Sequence, residues 1–443
     1  MTGGAAVSVD EALTRAHRDG WGQVLAVTVH LARDLDLAEE CVQEAYASAV
    51  TVWRRDGVPR NPVAWLTTAA KRRAVDAARR ERVLRAKLPL LVERGEWAAD
   101  EPEPDPESAS ADGVRDERLR LLFLCCHPAL SPDAQITLTL RLAYGVSTAD
   151  IARLLLVSDA AVSARLTRAK RKISLARIPY RVPTAEELPD RLGAVLTVVH
   201  LIFTAGHTAP SGSSLSRPAL ADEAVRLART LRELAPREPE VRGLLALLLV
   251  TDARRRTRTD ESGRPLRLAD QDRSQWDRAA IAEARALILE CLSEGRPGRF
   301  ALQAAIASLH AEAPTFEDTD WAQIVRLYDH LLVVWPSPVV ALNRAVAVAE
   351  AGAPAQALAE VEDLERGGGL RAYAYLHAVK AHLLERQGRS VEAAAAYGRA
   401  SELSANDVES RFLAELGERA AGDLGEAAGR IEGGSGGATS PDR

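Results

Sequence analysis

An all-α protein is predicted, with a core built from aliphatic and small side chains. Three observations carry this. Apolar residues recur at helical spacing: Val162, Leu166, Ala169 and Ile173 fall at i, i+4, i+7 and i+11, and Leu37, Cys41, Val42 and Ala45 share one side of an earlier segment. Hydrophobic residues make up 47% of the 443-residue chain but aromatics only 4%, so Leu, Ala and Val must fill the interior, as they do in helical bundles and helical repeats. Residues 186–432 read as helix throughout, punctuated by Pro and Gly.

The length suits about three domains with ample core. The first segment with a distinct signal is 34–46. Opposite its apolar side lie Asp36, Glu39, Glu40, Gln43 and Glu44. Such an acidic face is either solvated or a dock for a protein partner; it repels DNA.

A basic helix follows. Asn61 can cap it, Pro62 suits its first turn, and Trp65, Leu66, Ala69 and Val75 can supply an inner face. Lys71, Arg72, Arg73, Arg79, Arg80, Arg82, Arg85 and Lys87 are interrupted only by Asp76 and Glu81. Residues 93–112 then turn acidic, with Pro102, Pro104 and Pro106 among the charges, which predicts an extended linker.

Thr148 to Ser158 reads as a short helix, a turn and the start of a second helix. The second helix opens a stretch, 160–185, with seven cations (Arg165, Arg168, Lys170, Arg171, Lys172, Arg177 and Arg181) and no anion, although the whole chain carries a net charge of -5. Ala160, Ala164, Thr167, Arg168 and Arg171 lie opposite the apolar stripe. Small outward residues beside arginines suit a helix entering a DNA major groove. A solvated basic face is the alternative for either cationic helix. Two such helices flanking an acidic segment favour two spaced DNA contacts.

In the C-terminal half, Gly352 and Ala357 recur as Gly388 and Ala393, an offset of 36 against the roughly 34-residue tetratricopeptide period. Tyr397 and Ala400 sit where such repeats pack. Stacked helix pairs of this kind present a surface to a peptide or another domain. The 205–214 segment, rich in Gly and Ser, reads as a plain interhelical loop in preference to an anion cradle.

Several classes find no support. Cys41, Cys125, Cys126 and Cys291 form no disulfide framework, and Cys125-Cys126-His127 lacks a second ligand pair, so packing is the expected role and no metal or other cofactor is expected. No nucleophile elbow, phosphate loop or dinucleotide fingerprint occurs, so no enzyme is expected. Met1-Thr-Gly-Gly-Ala-Ala-Val has no cationic start, and no apolar run approaches the roughly 18 residues of a membrane span.

The order of these features resembles the sigma-70 family, specifically the extracytoplasmic-function sigma factors of bacterial RNA polymerase. Asp36-Leu-Ala-Glu-Glu-Cys-Val-Gln-Glu-Ala resembles the region 2 motif that docks on the polymerase clamp helices. Asn61-Pro-Val-Ala-Trp-Leu-Thr-Thr-Ala-Ala-Lys-Arg-Arg-Ala-Val-Asp-Ala-Ala-Arg-Arg80 resembles the part that melts and reads the -10 element. Asp116 to Ser131 and the helix-turn-helix to Ile173 resemble region 4, which reads the -35 element. Leu201–Gly212, Asp270–Trp276, Leu302–Pro314 and Pro338–Ala349 resemble a sub-class with a long tetratricopeptide-like extension. One departure is Arg72, where the family often has Asn; it is read as a phosphate contact.

The resemblance implies two small helical sigma domains, the second a helix-turn-helix, joined by an acidic linker and followed by a helical-repeat domain. The expected limits are 10–90 for region 2, 91–115 for the linker, 116–182 for region 4, 186–432 for the extension (repeats clearest at 338–404) and 433–443 for a disordered tail. It also implies RNA polymerase core (clamp helices and flap) and promoter DNA as partners, in the cytoplasm and away from membranes. Asp36, Glu39, Glu40, Gln43 and Glu44 would dock polymerase; Lys71, Arg72, Arg79 and Arg80 would serve the -10 element; Ser163, Ala164, Thr167, Arg168 and Arg171 would serve the -35 element. The extension is expected to contact the sigma core within the chain and set its activity. A repeat-containing helix-turn-helix regulator that is not a sigma subunit is the other reading; the acidic docking helix and the second basic helix argue against it.

Overall fold

The computed structural model describes residues 8–87, 111–155, 157–184, 186–295 and 297–433. The expected tail, apart from Gly433, and most of the expected linker lie outside the described residues. The chain divides into two compact units, Met1–Ile202 and Phe203–Arg443. All regular elements among the described residues are helices, so the all-α expectation holds.

The first unit contains α1 (Val9–Ala32), α2 (Leu35–Asp56), α3 (Pro62–Lys87), α4 (Ala111–Cys125), α5 (Pro132–Leu142), α6 (Thr148–Leu155), α7 (Asp159–Leu175) and most of α8 (Leu188–His207). Local chemistry sets several ends. Ser8 and Glu11 form a reciprocal capping box at α1. Asp34 accepts the Leu37 N–H at 2.8 Å, and Ser158 caps α7. Asn61 accepts from Ala64 N–H at 3.1 Å, as expected, and Pro62 opens α3. The expected linker limit of 115 falls inside α4, and the expected start of the extension, 186, falls inside the first unit.

α1, α2 and α3 pack around Leu25, Val42, Trp53 and Leu66, with Trp53 edge-on to Trp65. The inner face of α3 differs from expectation at one position. Leu66, Ala70 and Ala74 are buried, whereas Val75 is 52% exposed. The stripe advances by four residues, and Val75 lies about 100° past it.

α5, α6 and α7 form the helix-turn-helix. Gly145, at φ 62, turns the chain between α5 and α6 under the Trp21 ring. Val162, Ala169 and Ile173 are buried and Leu166 half-buried, which confirms the inward stripe.

The second unit continues through α9 (Pro218–Leu234), α10 (Pro239–Asp252), α11 (Arg278–Ser293), α12 (Arg299–Glu312), α13 (Trp321–Val334), α14 (Pro338–Glu350), α15 (Pro354–Arg366), α16 (Ala374–Glu385), α17 (Ser390–Leu403) and α18 (Asp407–Gly433). α14 packs on α15, and α16 on α17. Gly352 and Gly388 adopt φ 102 and 73 just after the first helix of each pair, and Ala357 and Ala393 are fully buried in the second. Between α10 and α11, Arg258 donates to the His207 carbonyl and to Thr208 Oγ1, and Arg273 donates to the His310 and Ala313 carbonyls at 2.6 and 2.8 Å. These arginines satisfy the carbonyl ends of α8 and α12. Residues 205–207 of the expected loop belong to α8, and Asn406 donates to the carbonyls of Ala209 and Ser214, which ties down the connection that follows.

Candidate functional site

The candidate site is built on α2, α3 and α7, all in the first unit. On α2, Leu35, Ala38, Cys41, Val42 and Ala45 are buried, which turns the acidic row outward. Asp36, Glu40, Gln43 and Glu44 are exposed. Glu39 is the exception, at 9% exposure. The amphipathic pattern places it on the polar side, but Lys170 from α7 covers it. The Lys170 ammonium bridges Glu39 and Asp36, the latter at 2.9 Å.

On α3 the cations divide. Arg72, Arg79 and Arg80 are exposed and Lys71 half-buried. Arg73 instead turns to α2, where it bonds Glu44 and the Ser48 hydroxyl at 3.1 and 2.5 Å. The side chains of Arg82, Arg85 and Lys87 lie outside the described residues.

On α7, Ser163, Ala164, Thr167, Arg168 and Arg171 are all exposed, opposite the buried stripe. The Thr167 hydroxyl donates back to the Ser163 carbonyl at 3.1 Å. Other cations of the run are paired: Arg165 with Asp133 on α5 at 3.0 Å, Lys170 with α2, and Arg181, past α7, with Glu187 at 2.8 Å. Sequence reasoning missed this division, because helical spacing separates apolar from polar sides but does not reveal which cation meets an acid on a distant helix.

The structure thus brings the acidic face of α2 against α7. An open groove of about 520 Å³ between them is lined by Asp36, Glu39, Arg141, Thr167, Lys170 and Arg171. Its charges are mixed. Close packing nearby fixes the arrangement. A Cβ on Gly22 of α1 would lie 1.7 Å from the Ala143 carbonyl oxygen just after α5. The Tyr180 hydroxyl sits between the carbonyl oxygens of Ala26 and Glu117, at 2.9 and 3.0 Å. A glycine inside a helix is the one sequence signal that could have marked this contact.

All four cysteines are buried. Burial pushes the Cys126 thiol up to about 12, and burial together with Glu44 and Glu40 pushes Cys41 up. Among the described residues no helix is long and apolar enough to cross a membrane.

The same segments match known families. Residues 22–83 match sigma-70 region 2, residues 120–173 match sigma-70 region 4, and residues 191–292 match a family of unknown function, DUF6596. The chain is 43% identical over 408 residues to an uncharacterized protein of Rhizobium meliloti (strain 1021), covering 91% of this chain and 94% of the relative.

Proposed function

We propose, from the premise that this chain belongs to the sigma-70 family as a factor of the extracytoplasmic-function type with a C-terminal extension, that its three charged surfaces divide promoter-directed initiation between them. A factor of this family binds RNA polymerase core and makes transcription initiation promoter-specific. The polymerase makes the phosphodiester bonds.

In this reading Asp36, Glu39, Glu40, Gln43 and Glu44 on α2 dock the clamp helices. Lys71, Arg72, Arg79 and Arg80 on α3 hold DNA at the -10 element, with Arg72 on a phosphate. Ser163, Ala164, Thr167, Arg168 and Arg171 on α7 read the -35 element, with region 4 engaging the flap. The observation that carries the reading is the α7 surface: five residues expected to face DNA are all exposed on a helix whose other side is buried. Small residues admit the backbone to the groove, and Arg168 and Arg171 supply the donors. The site of action is the cytoplasm, where core and promoter meet.

The extension, in the same reading, sets the activity of the sigma core through contact within the chain. Tethering raises the effective concentration of such a contact. The test of the whole reading is run-off transcription with purified polymerase core and the full chain. Promoter-specific transcripts support it; DNA binding without core binding would make the chain a regulator that is not a sigma subunit. A cut after Ala209 keeps α8 whole and tests the extension. Unchanged promoter-specific output from the folded, truncated chain would end its regulatory role.

A further inference from the structure

We propose that the second unit carries a binding site for a phosphate group, free or at the end of a small metabolite, built from Arg254, Arg258 and Arg273 with His207 and His310. All five residues lie in that unit. The site does not depend on the roles assigned to α2, α3 and α7.

The segment between α10 and α11 is folded by its own polar groups. The Asp277 N–H closes back on the Ala253 carbonyl at 2.9 Å. The Trp276 indole N–H donates to the Thr257 hydroxyl at 2.9 Å, and that hydroxyl donates to the Arg254 carbonyl at 3.1 Å. Three guanidiniums are presented on this frame. Arg258 spends its two terminal nitrogens on the His207 carbonyl and the Thr208 hydroxyl. Arg273 is 9% exposed and lies 4.9 Å over the Trp276 ring. Its Nη1 donates to the His310 and Ala313 carbonyls, whereas its buried Nη2 has no hydrogen-bond partner among the described residues. The Nδ1 atoms of His207 and His310 are also buried without one. The Arg254 guanidinium makes no hydrogen bond or ion pair among the described residues. Arg254, Arg258, His207 and His310 are each only half-buried, so the cluster reaches solvent.

Like charges gathered away from water are costly unless an anion joins them. Asp252 and Glu409 lie near Arg258, and Glu317 and Asp318 near Arg273. Arg254 has only cations in reach: burial, with Arg258 and Arg273 close by, holds its guanidinium down to about 10. The uncompensated charge is therefore centred on Arg254. The donor set selects the ligand. A single guanidinium fork suits a carboxylate, whose two oxygens lie in one plane. Here donors come from four side chains: Arg254, Nη2 of Arg273 and two imidazoles. The imidazoles are neutral, since burial first and then the nearby arginines lower His207 to about 2 and His310 to about 4. A neutral imidazole can place its proton on Nδ1 and donate it. A phosphate group offers three acceptor oxygens and a charge of about −2, which answers both the number of donors and the excess of cations.

Titration calorimetry of the full chain at constant ionic strength tests this, with inorganic phosphate, glycerol phosphate and acetate as separate probes. The expected result is saturable binding of a phosphate probe, with acetate weaker by about tenfold or more. Tighter inorganic phosphate would mark the free ion as the ligand, and tighter glycerol phosphate a phosphorylated metabolite. Arg254→Gln is expected to weaken phosphate binding by about tenfold or more. In phosphate-free buffer the same variant should melt at or above the temperature of the parent chain, because it removes an uncompensated charge; an arginine with a purely structural role would lower it. Arg256→Gln, at an exposed neighbour, is expected to change neither quantity. Acetate bound as tightly as phosphate would overturn the ligand class. No saturable binding of either phosphate probe, or equal affinity in the parent and Arg254→Gln, would overturn the site. Should Arg254→Gln fail to fold, Arg254→Lys keeps the charge and loses the fork, and unchanged phosphate affinity in that variant would overturn the site as well.

Discussion

Arg73 on α3 holds Glu44 on α2 at 3.1 Å, so the side chain of this cation is spent on the neighbouring helix. Its other bonds go to the Ser48 hydroxyl and the Ala69 carbonyl. Arg72, beside it in sequence, points to solvent. Adjacent helical residues diverge by about 100°, so one arginine braces the fold while the next stays open to solvent.

Arg73→Ala is therefore expected to lower the stability of the first unit by about 1–2 kcal/mol, since it removes charge-assisted hydrogen bonds between helices. Arg72→Ala is expected to stay within about 0.5 kcal/mol in stability. It should reduce the salt slope of DNA binding by about one. Denaturant melts and salt titrations on both variants check this. Equal melting midpoints would refute the division.

Arg168→Ala is expected to weaken promoter binding by about 1–3 kcal/mol and to leave random DNA nearly unaffected, if its guanidinium makes a bidentate base contact. Arg168 is exposed opposite Val162. Competition binding with promoter and scrambled duplexes measures it. Equal losses on both duplexes would reduce Arg168 to a phosphate contact.

Glu40→Lys is expected to abolish binding to polymerase core at little cost to the fold, because Glu40 is exposed and surface charges contribute little stability. Glu39→Lys is expected to unfold or open the first unit as well, since it sets two cations against each other at Lys170. Core pull-down with circular dichroism separates the two. A Glu40→Lys chain that still binds core tightly would refute the docking role of this face.

The second unit is expected to lose stability in mild acid. Burial, with Arg258 close by, lowers His207 to about 2, and burial, with Arg254 close by, lowers His310 to about 4. Both are neutral in the fold, while the unfolded chain takes up protons near 6.5. Below that pH the unfolded state binds more protons, so stability falls as pH drops, through about 4 for His310 and lower for His207. Glu240 and Glu409, raised by burial, act with the opposite sign, so the informative quantity is a difference. The stability loss between about pH 6.5 and 4 should be shallower in His310→Gln than in the parent chain. Parallel curves would show that His310 does not titrate between the two states.

Much of this protein was legible in its sequence. Helical period fixed the inward stripe of α7, because a 3.6-residue turn repeats locally whatever the helix packs against. Charge segregation marked α2, α3 and α7, and the order of motifs identified the family. The offset between Gly352 and Gly388 marked helix pairs whose turns need a positive φ that glycine supplies. What only the tertiary structure decided was which polar groups meet. Lys170 and Asp36 are 134 residues apart, Tyr180 and Ala26 are 154 apart, and no local rule pairs them. Val75 looked like an inner residue and faces water; Glu39 looked like an outer one and is covered. Burial on a helix is set by the partner laid across it as well as by its own period. That partner, here region 4 against region 2, is placed by close contacts such as Gly22 on Ala143 that exist only once the chain has folded.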